Sequence, residues 1–183
     1  MDPLVTPQQL EEYTKGAIRA DDPRAALLLA GASAAVRRFC GWHITPVLTQ
    51  TMTLDGPGGA DLELATLNLE GIVSVVELGQ ALDVTALEWS RLGNIRHPRG
   101  CWSSRYRSIV VSIRHGFDDA ADVQQIVLQV SASALSSPMG VTREQAGQVA
   151  VQWATTAPGV SGGVSLLQRD LDVLALYRLN KRS

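Results

Sequence analysis

The chain has 183 residues, of which 45% are hydrophobic and 19% are charged, and its formal net charge is -2. These values exclude an intrinsically disordered, collagen-like or disulfide-scaffolded protein and are typical of one globular domain. The longest apolar runs, AALLLAGASAAV and VLALY, are too short to span a bilayer, and the start MDPLVTPQQLEEY lacks the basic and apolar parts of a signal peptide. We therefore expect a soluble intracellular protein whose two cysteines are reduced.

Residues 1–45 are predicted to be helical. In TPQQLEEY, Thr6 can cap a helix that starts at Pro7, and Gln9 stands where a capping box requires it. In DDPRAALLLAGASAAVRRFCG, Asp22 is expected to cap a second helix, and Gly41 suits a left-handed stop. The apolar residues that fall on one face of this helix are Leu28, Ala32, Ala35, Val36 and Phe39.

An alternation of apolar and polar residues begins at Pro46 and predicts a small antiparallel β-sheet over about 46–114, within a β segment that spans 46–115. The expected five or six short strands include PVLTQTMTL, LEL, IVSVVEL, VTALEWS and SIVVSIR. The glycine-rich stretch DGPGGAD between the first two indicates a hairpin turn, because it lacks the lysine and the following helix of a phosphate loop.

Helical spacing returns after the sheet and predicts a helix over 119–137, within a segment 118–138 that Pro138 ends. The apolar residues that carry this spacing are Val123, Val127, Val130 and Ala134. Residues 141–164 have the composition of an extended arm with one possible strand, QVAVQW.

The last segment, 165–183, is predicted to be a helix that opens with a capping box of Ser165 and Gln168. Its apolar residues surround most of the circumference, so the helix is expected either to be sandwiched within its own domain or to dock on another chain.

The charges are unevenly distributed along the chain. Between Glu88 and Asp118 there are six arginines and no acidic residue, which gives this segment +6 and leaves -8 for the rest of the chain. Arginines interleaved with Trp89, Trp102 and Tyr106 can cradle phosphates and stack bases. A nucleic-acid-binding accessory protein that uses residues 89–114 is therefore an alternative function, although the same residue types are enriched in protein interfaces.

Two residue pairs can be drawn as a zinc site: Cys40 with His43 in RRFCGWHI, and His97 with Cys101 in HPRGC. Structural zinc sites usually combine a pair of cysteines with a pair of histidines, whereas both pairs here are mixed. We interpret the four side chains as packing and loop residues. A small metal-dependent enzyme is kept only as a third hypothesis.

The carboxylate pairs also have structural interpretations. Asp118 and Asp119, which follow His115, suit a turn and a helix cap, and Asp170 and Asp172 suit a solvated helix face. No catalytic residue, metal ligand or cofactor is expected.

The order of these features resembles the head-to-tail connector proteins of tailed bacteriophages, which are also called head completion or adaptor proteins. The pieces that carry the resemblance include TPQQLEEYTK, ASAAVRRFCGW, TMTLDGPGGADLEL, HGFDDAADV and LDVLALYRL, and together they cover nearly the whole chain. The resemblance implies an α+β fold in a single connector domain, 1–183. In that fold the N-terminal helices, helix 119–137 and the C-terminal helix form a helical bundle beside the small sheet and the extended arm.

The resemblance also implies a structural virion protein without enzymatic activity. Such proteins form a ring of about twelve copies between the portal protein and the next connector ring or the tail terminator. The ring extends the channel for packaged double-stranded DNA and completes the head after packaging; it is assembled in the host cytoplasm, sits at the head-to-tail interface and involves no membrane.

Individual residues receive expected roles from the same resemblance. Cys40 and Trp42 are expected to be core residues. The residues predicted at the subunit, portal or tail interface are Arg96, Arg99, Trp102, Arg105, Arg107, Trp153, Leu167, Leu171, Leu174, Tyr177 and Arg178.

Overall fold

The computed structural model of the protein describes residues 1–98, 100–136, 143–146, 149–152 and 165–179. These residues contain four α-helices and nine β-strands, so the predicted mixed α+β class is confirmed. They form two compact units. The helical unit comprises the described residues of Met1–Cys40 and Ala120–Arg178, and the sheet unit those of Gly41–Asp119 and Leu179–Ser183.

The helical unit contains α1 (Pro7–Tyr13), α2 (Pro23–Cys40), α3 (Ala121–Ser136) and α4 (Gln168–Leu174), with a single 3-10 turn at Ala175–Tyr177. The predicted capping box starts α1: the Gln9 backbone N–H donates to Thr6 Oγ1 at 3.3 Å, and the Thr6 N–H donates to Gln9 Oε1 at 2.7 Å. At the start of α2, Asp22 Oδ1 accepts the Arg24 N–H at 2.9 Å. These local hydrogen bonds confirm both predicted helix starts.

Helix α2 packs against α1, α3 and α4. Its buried stripe is rotated from the predicted one, because Leu29 is fully buried while Leu28 is only half-buried. Both stripes have helical spacing, and the positions of the neighbouring helices select between them. The buried residues of α2 are Ala25, Leu29, Ala32, Ser33, Val36 and Cys40. On α3 the predicted stripe is confirmed, since Val123, Val127, Val130 and Ala134 are all buried.

The sheet unit contains seven strands among its described residues, which are β1 (Leu48–Leu54), β2 (Asp61–Glu63), β3 (Leu69–Glu77), β4 (Gln80–Leu82), β5 (Glu88–Trp89), β6 (Asn94–Arg96) and β7 (Ile109–His115). They form a four-stranded antiparallel sheet in the order β1-β7-β3-β4 and a three-stranded antiparallel sheet in the order β2-β6-β5. One hydrophobic cluster joins the two sheets and includes Ile95, Trp102, Val111 and Ile113.

The predicted hairpin at DGPGGAD is wrong. Strand β1 pairs with β7, and β2 pairs with β6, so the stretch connects two sheets instead of two paired strands. Its backbone instead bonds to a distant segment: the Gly56 N–H donates to the Arg105 carbonyl at 2.9 Å and the Gly58 N–H donates to the Ser103 carbonyl at 3.0 Å. A Cβ atom on Gly56 would clash with the Ser103 carbonyl oxygen, so this glycine serves a close backbone approach.

The strand predicted at VTALEWS is only partly formed. Residues Val84–Ala86 make a 3-10 turn, and the strand is reduced to β5. Asp83 favours this turn because its Oδ1 accepts two hydrogen bonds from Thr85, one from the backbone N–H at 2.9 Å and one from the hydroxyl at 2.7 Å. Short polar side chains often favour such local turns over a strand ladder.

The segments after α3 are described only in part. The strand expected at QVAVQW is β9 (Val149–Gln152), and it pairs with β8 (Arg143–Ala146), which the sequence pattern did not predict. The rest of the 141–164 arm, including Trp153, lies outside the described residues, and so do Arg99 and residues 180–183.

The C-terminal helix is shorter than the predicted 165–183. Its first turn is capped by a carboxylate, because Asp170 Oδ2 accepts the Leu167 N–H at 2.9 Å. Asp170 is therefore buried, contrary to the prediction of a solvated face, and it also lies 3.5 Å from the Arg169 guanidinium. Across the described residues, no helix is both long enough and apolar enough to span a membrane.

Candidate interaction surface

The residues that were drawn as a zinc site have packing or surface roles. Cys40 is buried in the helical unit, where its Sγ lies 3.7 Å from the Leu174 carbonyl oxygen, and burial raises the pKa of the thiol to about 11. In the sheet unit, His97 Nε2 lies 3.3 Å from Glu77 Oε2, and Cys101 is exposed. Within the described part of the chain there is no group of three or more His, Cys, Asp or Glu residues that could hold a metal ion.

Two histidines and two aromatic residues pack together in the sheet unit. The rings of His43 and His115 are 4.3 Å apart, and Trp42 contacts both of them and Phe117. His115 Nε2 lies 3.1 Å from Gln50 Oε1. Burial, and secondarily the nearby His43, lower the pKa of His115 to about 4. The His115 side chain is therefore neutral near pH 7. Trp42 is buried here and Cys40 is buried in the helical unit, so the expectation that both are core residues is confirmed.

The segment between Glu88 and Asp118 does not form a platform of alternating arginine and tryptophan. Trp102 was predicted at an interface, but its side chain is only 2% exposed and its Nε1–H donates to the Ile95 carbonyl at 3.3 Å. It belongs to the core of the sheet unit, because a buried indole needs both apolar neighbours and a partner for its N–H. Trp89 is 43% exposed. The structure thus gives the nucleic-acid alternative little surface for stacking at Trp102.

Three arginines of this segment bind side chains of their own unit. The bonds are Arg91 Nε to Asn68 Oδ1 at 2.6 Å, Arg96 Nε to Asp61 Oδ1 at 3.1 Å, and Arg114 Nε to Glu70 Oε2 at 2.8 Å. Arg96 also approaches Glu88 at 4.0 Å and remains exposed. Exposed pairs of this kind add little to stability, but each of these guanidinium groups already has a partner within its own unit.

Two other arginines of the segment are exposed and occupy a tight turn before β7. Arg105 and Arg107 flank Tyr106, whose side chain is 87% exposed. In the described part of the chain, neither guanidinium makes an ion pair or a side-chain hydrogen bond. We call residues 105–107 the basic turn.

The backbone of the basic turn is held by several hydrogen bonds. The Arg107 N–H donates to Asp55 Oδ1 at 2.7 Å, and the Ser108 hydroxyl donates to the Arg105 carbonyl at 2.8 Å. Arg107 has a φ of +52°, a left-handed conformation that is uncommon outside glycine. Such conformations cost free energy and often occur at functional sites. The turn therefore presents three exposed side chains from an anchored backbone.

The predicted C-terminal interface residues divide between core and surface. Leu174 is fully buried, whereas Leu167 and Leu171 are half-buried. The Tyr177 hydroxyl donates to the Asp122 carboxylate at 2.9 Å, and the Arg178 guanidinium lies 5.1 Å from the centre of the Phe39 ring. These contacts fasten the C-terminal segment to α2 and α3 of the helical unit. Apolar surface remains at Val173, 36% exposed, and Leu176, 79% exposed.

Comparison with known proteins identifies a similar fold. No protein-family model matches the chain, and no curated protein sequence matches it. A chain in the solved structure described as the neck of an empty GTA particle, computed with C6 symmetry, matches with a TM-score of 0.61 at 10% sequence identity. The match covers 97% of the present chain and 90% of that one. The two chains therefore share their fold over nearly their whole lengths.

Proposed function

We propose that this protein is a structural subunit of the neck of a phage or phage-like particle, that is, a head-to-tail connector. The observation that carries the proposal is the fold shared along 97% of the chain with a protein from the neck of a GTA particle. The residue pattern of the sequence independently resembles the connector family. We infer that the two compact units act together as one connector domain, 1–183, and that α1 to α4 form its helical bundle.

In this proposal the subunits assemble into a ring of about twelve copies. Twelve is a multiple of six, which is compatible with the sixfold symmetry used for the GTA neck. The ring lies between the portal protein and the next connector ring or tail terminator, extends the channel for packaged double-stranded DNA, and completes the head. Its place is the virion, after assembly in the host cytoplasm, and its role requires neither a membrane nor enzymatic activity.

The contact residues of such a ring are also proposals. Those of the predicted set that keep exposed or half-buried side chains are Arg96, Arg105, Arg107, Leu167, Leu171, Tyr177 and Arg178. Arg99 and Trp153 remain predictions from the sequence.

Electron microscopy of the purified full chain, alone and mixed with its cognate portal ring, tests the proposal. The expected result is a ring of this protein stacked coaxially on the portal, with the portal ring alone as the control. If the protein stayed monomeric in both samples and bound duplex DNA tightly, the connector proposal would fail and the nucleic-acid alternative would replace it.

A further inference from the structure

Two groups of exposed charges that have no ion-pair partner among the described residues flank β7, an inner strand of the four-stranded sheet. Strand β7 has a hydrogen-bonded neighbour on each side, β1 and β3. The basic turn, with Arg105 and Arg107, immediately precedes β7, and Asp118 and Asp119 follow shortly after it. Seven extended residues span about 23 Å, so the positive and negative groups lie at opposite ends of this strand.

Within the described residues, no hydrogen bond or ion pair explains the two carboxylates of Asp118 and Asp119, which form the acidic end of this strand. Asp118 and Asp119 were predicted to cap α3, but the side chain that bonds the backbone at its start is Asp122, whose Oδ1 accepts the Val123 N–H at 2.9 Å. Asp118 and Asp119 are exposed, and among the described residues neither carboxylate makes an ion pair or a hydrogen bond. Arg114, the last arginine before them in the chain, is already paired with Glu70.

The basic turn, which forms the other end, has features typical of a protein-binding site. Its backbone is fixed by bonds to Asp55 and Ser108, so the backbone of the turn loses little conformational entropy when a partner binds. Tyrosine and arginine are the residue types most enriched at the energetic centres of protein interfaces, and Tyr106 is almost completely exposed between two arginines.

We propose that the basic turn of one copy binds Asp118 and Asp119 of a second copy of this chain. Two guanidinium groups would meet two carboxylates, and the two patches lie at opposite ends of β7. A contact between different patches of identical subunits is heterologous, and successive contacts of this kind close into a ring when the rotation permits. The inference rests on the proposed function, for which it names the residues that join neighbouring subunits.

One feature favours a second copy over nucleic acid as the partner. A phosphate ligand would leave Asp118 and Asp119 without a role, whereas a second copy employs the charged groups at both ends of the strand.

Charge reversal tests the contact in the full-length protein. The variant Arg105→Glu/Arg107→Glu places like charges at both ends of the strand, and so does Asp118→Arg/Asp119→Arg. Each variant alone is expected to lose the assembled species seen for the wild type by sedimentation velocity and by electron microscopy on the portal ring. An equimolar mixture is expected to regain assembly, because each altered end then finds its complement on the other variant.

The control variant is Arg19→Glu/Arg38→Glu, which reverses two exposed arginines of the helical unit and makes the same change in net charge as the first variant. It is expected to assemble like the wild type. The substituted side chains of the two test variants are exposed and make no ion pair or hydrogen bond within the described structure, so circular dichroism and thermal unfolding should match the wild type for each.

The outcomes distinguish the inference from the proposed function. Wild-type rings accompanied by normal assembly of either reversed variant would overturn the inference alone. The same holds if both variants fail and their mixture does not recover, since the two patches then do not contact each other. If the wild type itself assembles neither alone nor on the portal, both the inference and the proposed function are wrong.

Discussion

Replacing Leu174 by alanine tests whether α4 contributes to the fold of the subunit or serves only a partner. The Leu174 side chain is fully buried, and its carbonyl oxygen lies 3.7 Å from the buried thiol of Cys40 on α2. Helix α4 contacts both α2 and α3. These contacts predict that the substitution destabilises the isolated protein, before any assembly takes place.

The expected magnitude follows from the burial. The change removes about three buried carbon groups at about 0.8 kcal/mol each, or about 2.4 kcal/mol of transfer free energy. A residual cavity adds to this value, and truncation of a fully buried leucine to alanine typically lowers the free energy of unfolding by about 3–5 kcal/mol. With a urea m-value of about 2 kcal/mol per M, a loss of about 3 kcal/mol in unfolding free energy lowers the urea midpoint by about 1.5 M.

Far-UV circular dichroism at increasing urea concentration is the assay, because α1 to α4 all lie in the helical unit. The matched control is Leu176→Ala, two residues further on, where the side chain is 79% exposed and the expected change is within about 0.5 kcal/mol. Equal midpoints for the two variants would show that Leu174 is not a core residue and would refute the reasoning.

Two further predictions concern the buried titratable groups. Below pH 6.5 the unfolded chain gains a proton at position 115, while folded His115, with its pKa lowered to about 4, does not. The contribution of neutral His115 to stability is therefore fully present above pH 6.5 and is lost as the pH falls toward 4. The urea midpoint of the wild type is expected to fall over this range, and that of His115→Gln is expected to fall less. Parallel curves of urea midpoint against pH for the two proteins would contradict this. The thiol of Cys40, with its pKa raised to about 11 by burial, is expected not to react with an aromatic disulfide reagent at pH 8. The reagent should thus label one thiol, the exposed Cys101, in the native protein and both thiols in the urea-unfolded protein. It should label no thiol in native Cys101→Ser. Rapid labelling of that variant would place Cys40 at the surface.

Features that depend on near neighbours in the chain could be predicted well. The capping box of Thr6 and Gln9, the start of α2 at Asp22 and Pro23, and the stop at Gly41 all involve groups a few residues apart. Their hydrogen bonds form wherever the helix forms, so the local pattern is sufficient to predict them. The buried stripe of α3 is similar, since helical spacing and apolar residues coincide at one face only.

Features that depend on distant partners could not be predicted in this way. The stretch around Gly56 has the composition of a hairpin turn, yet its backbone bonds reach the segment around Arg105. Likewise, Trp102 has the sequence context of an exposed aromatic but is buried in the sheet unit. No local pattern distinguishes these cases, because the competing partners are about fifty residues away for Gly56, and for Trp102 lie on several strands.

The candidate interaction surface shows the same division. The amino-acid sequence by itself determined the α+β class, the helix starts and the excess of arginine between Glu88 and Asp118, since these follow from composition and short-range chemistry. Only the tertiary structure decided that Arg91, Arg96 and Arg114 are paired and that the basic turn is not. The physical reason is that each of these arginines needs a polar partner from a distant part of the chain. Asp61, for example, stands directly opposite Arg96 across β2 and β6, and burial of one face of a sheet sets such a register.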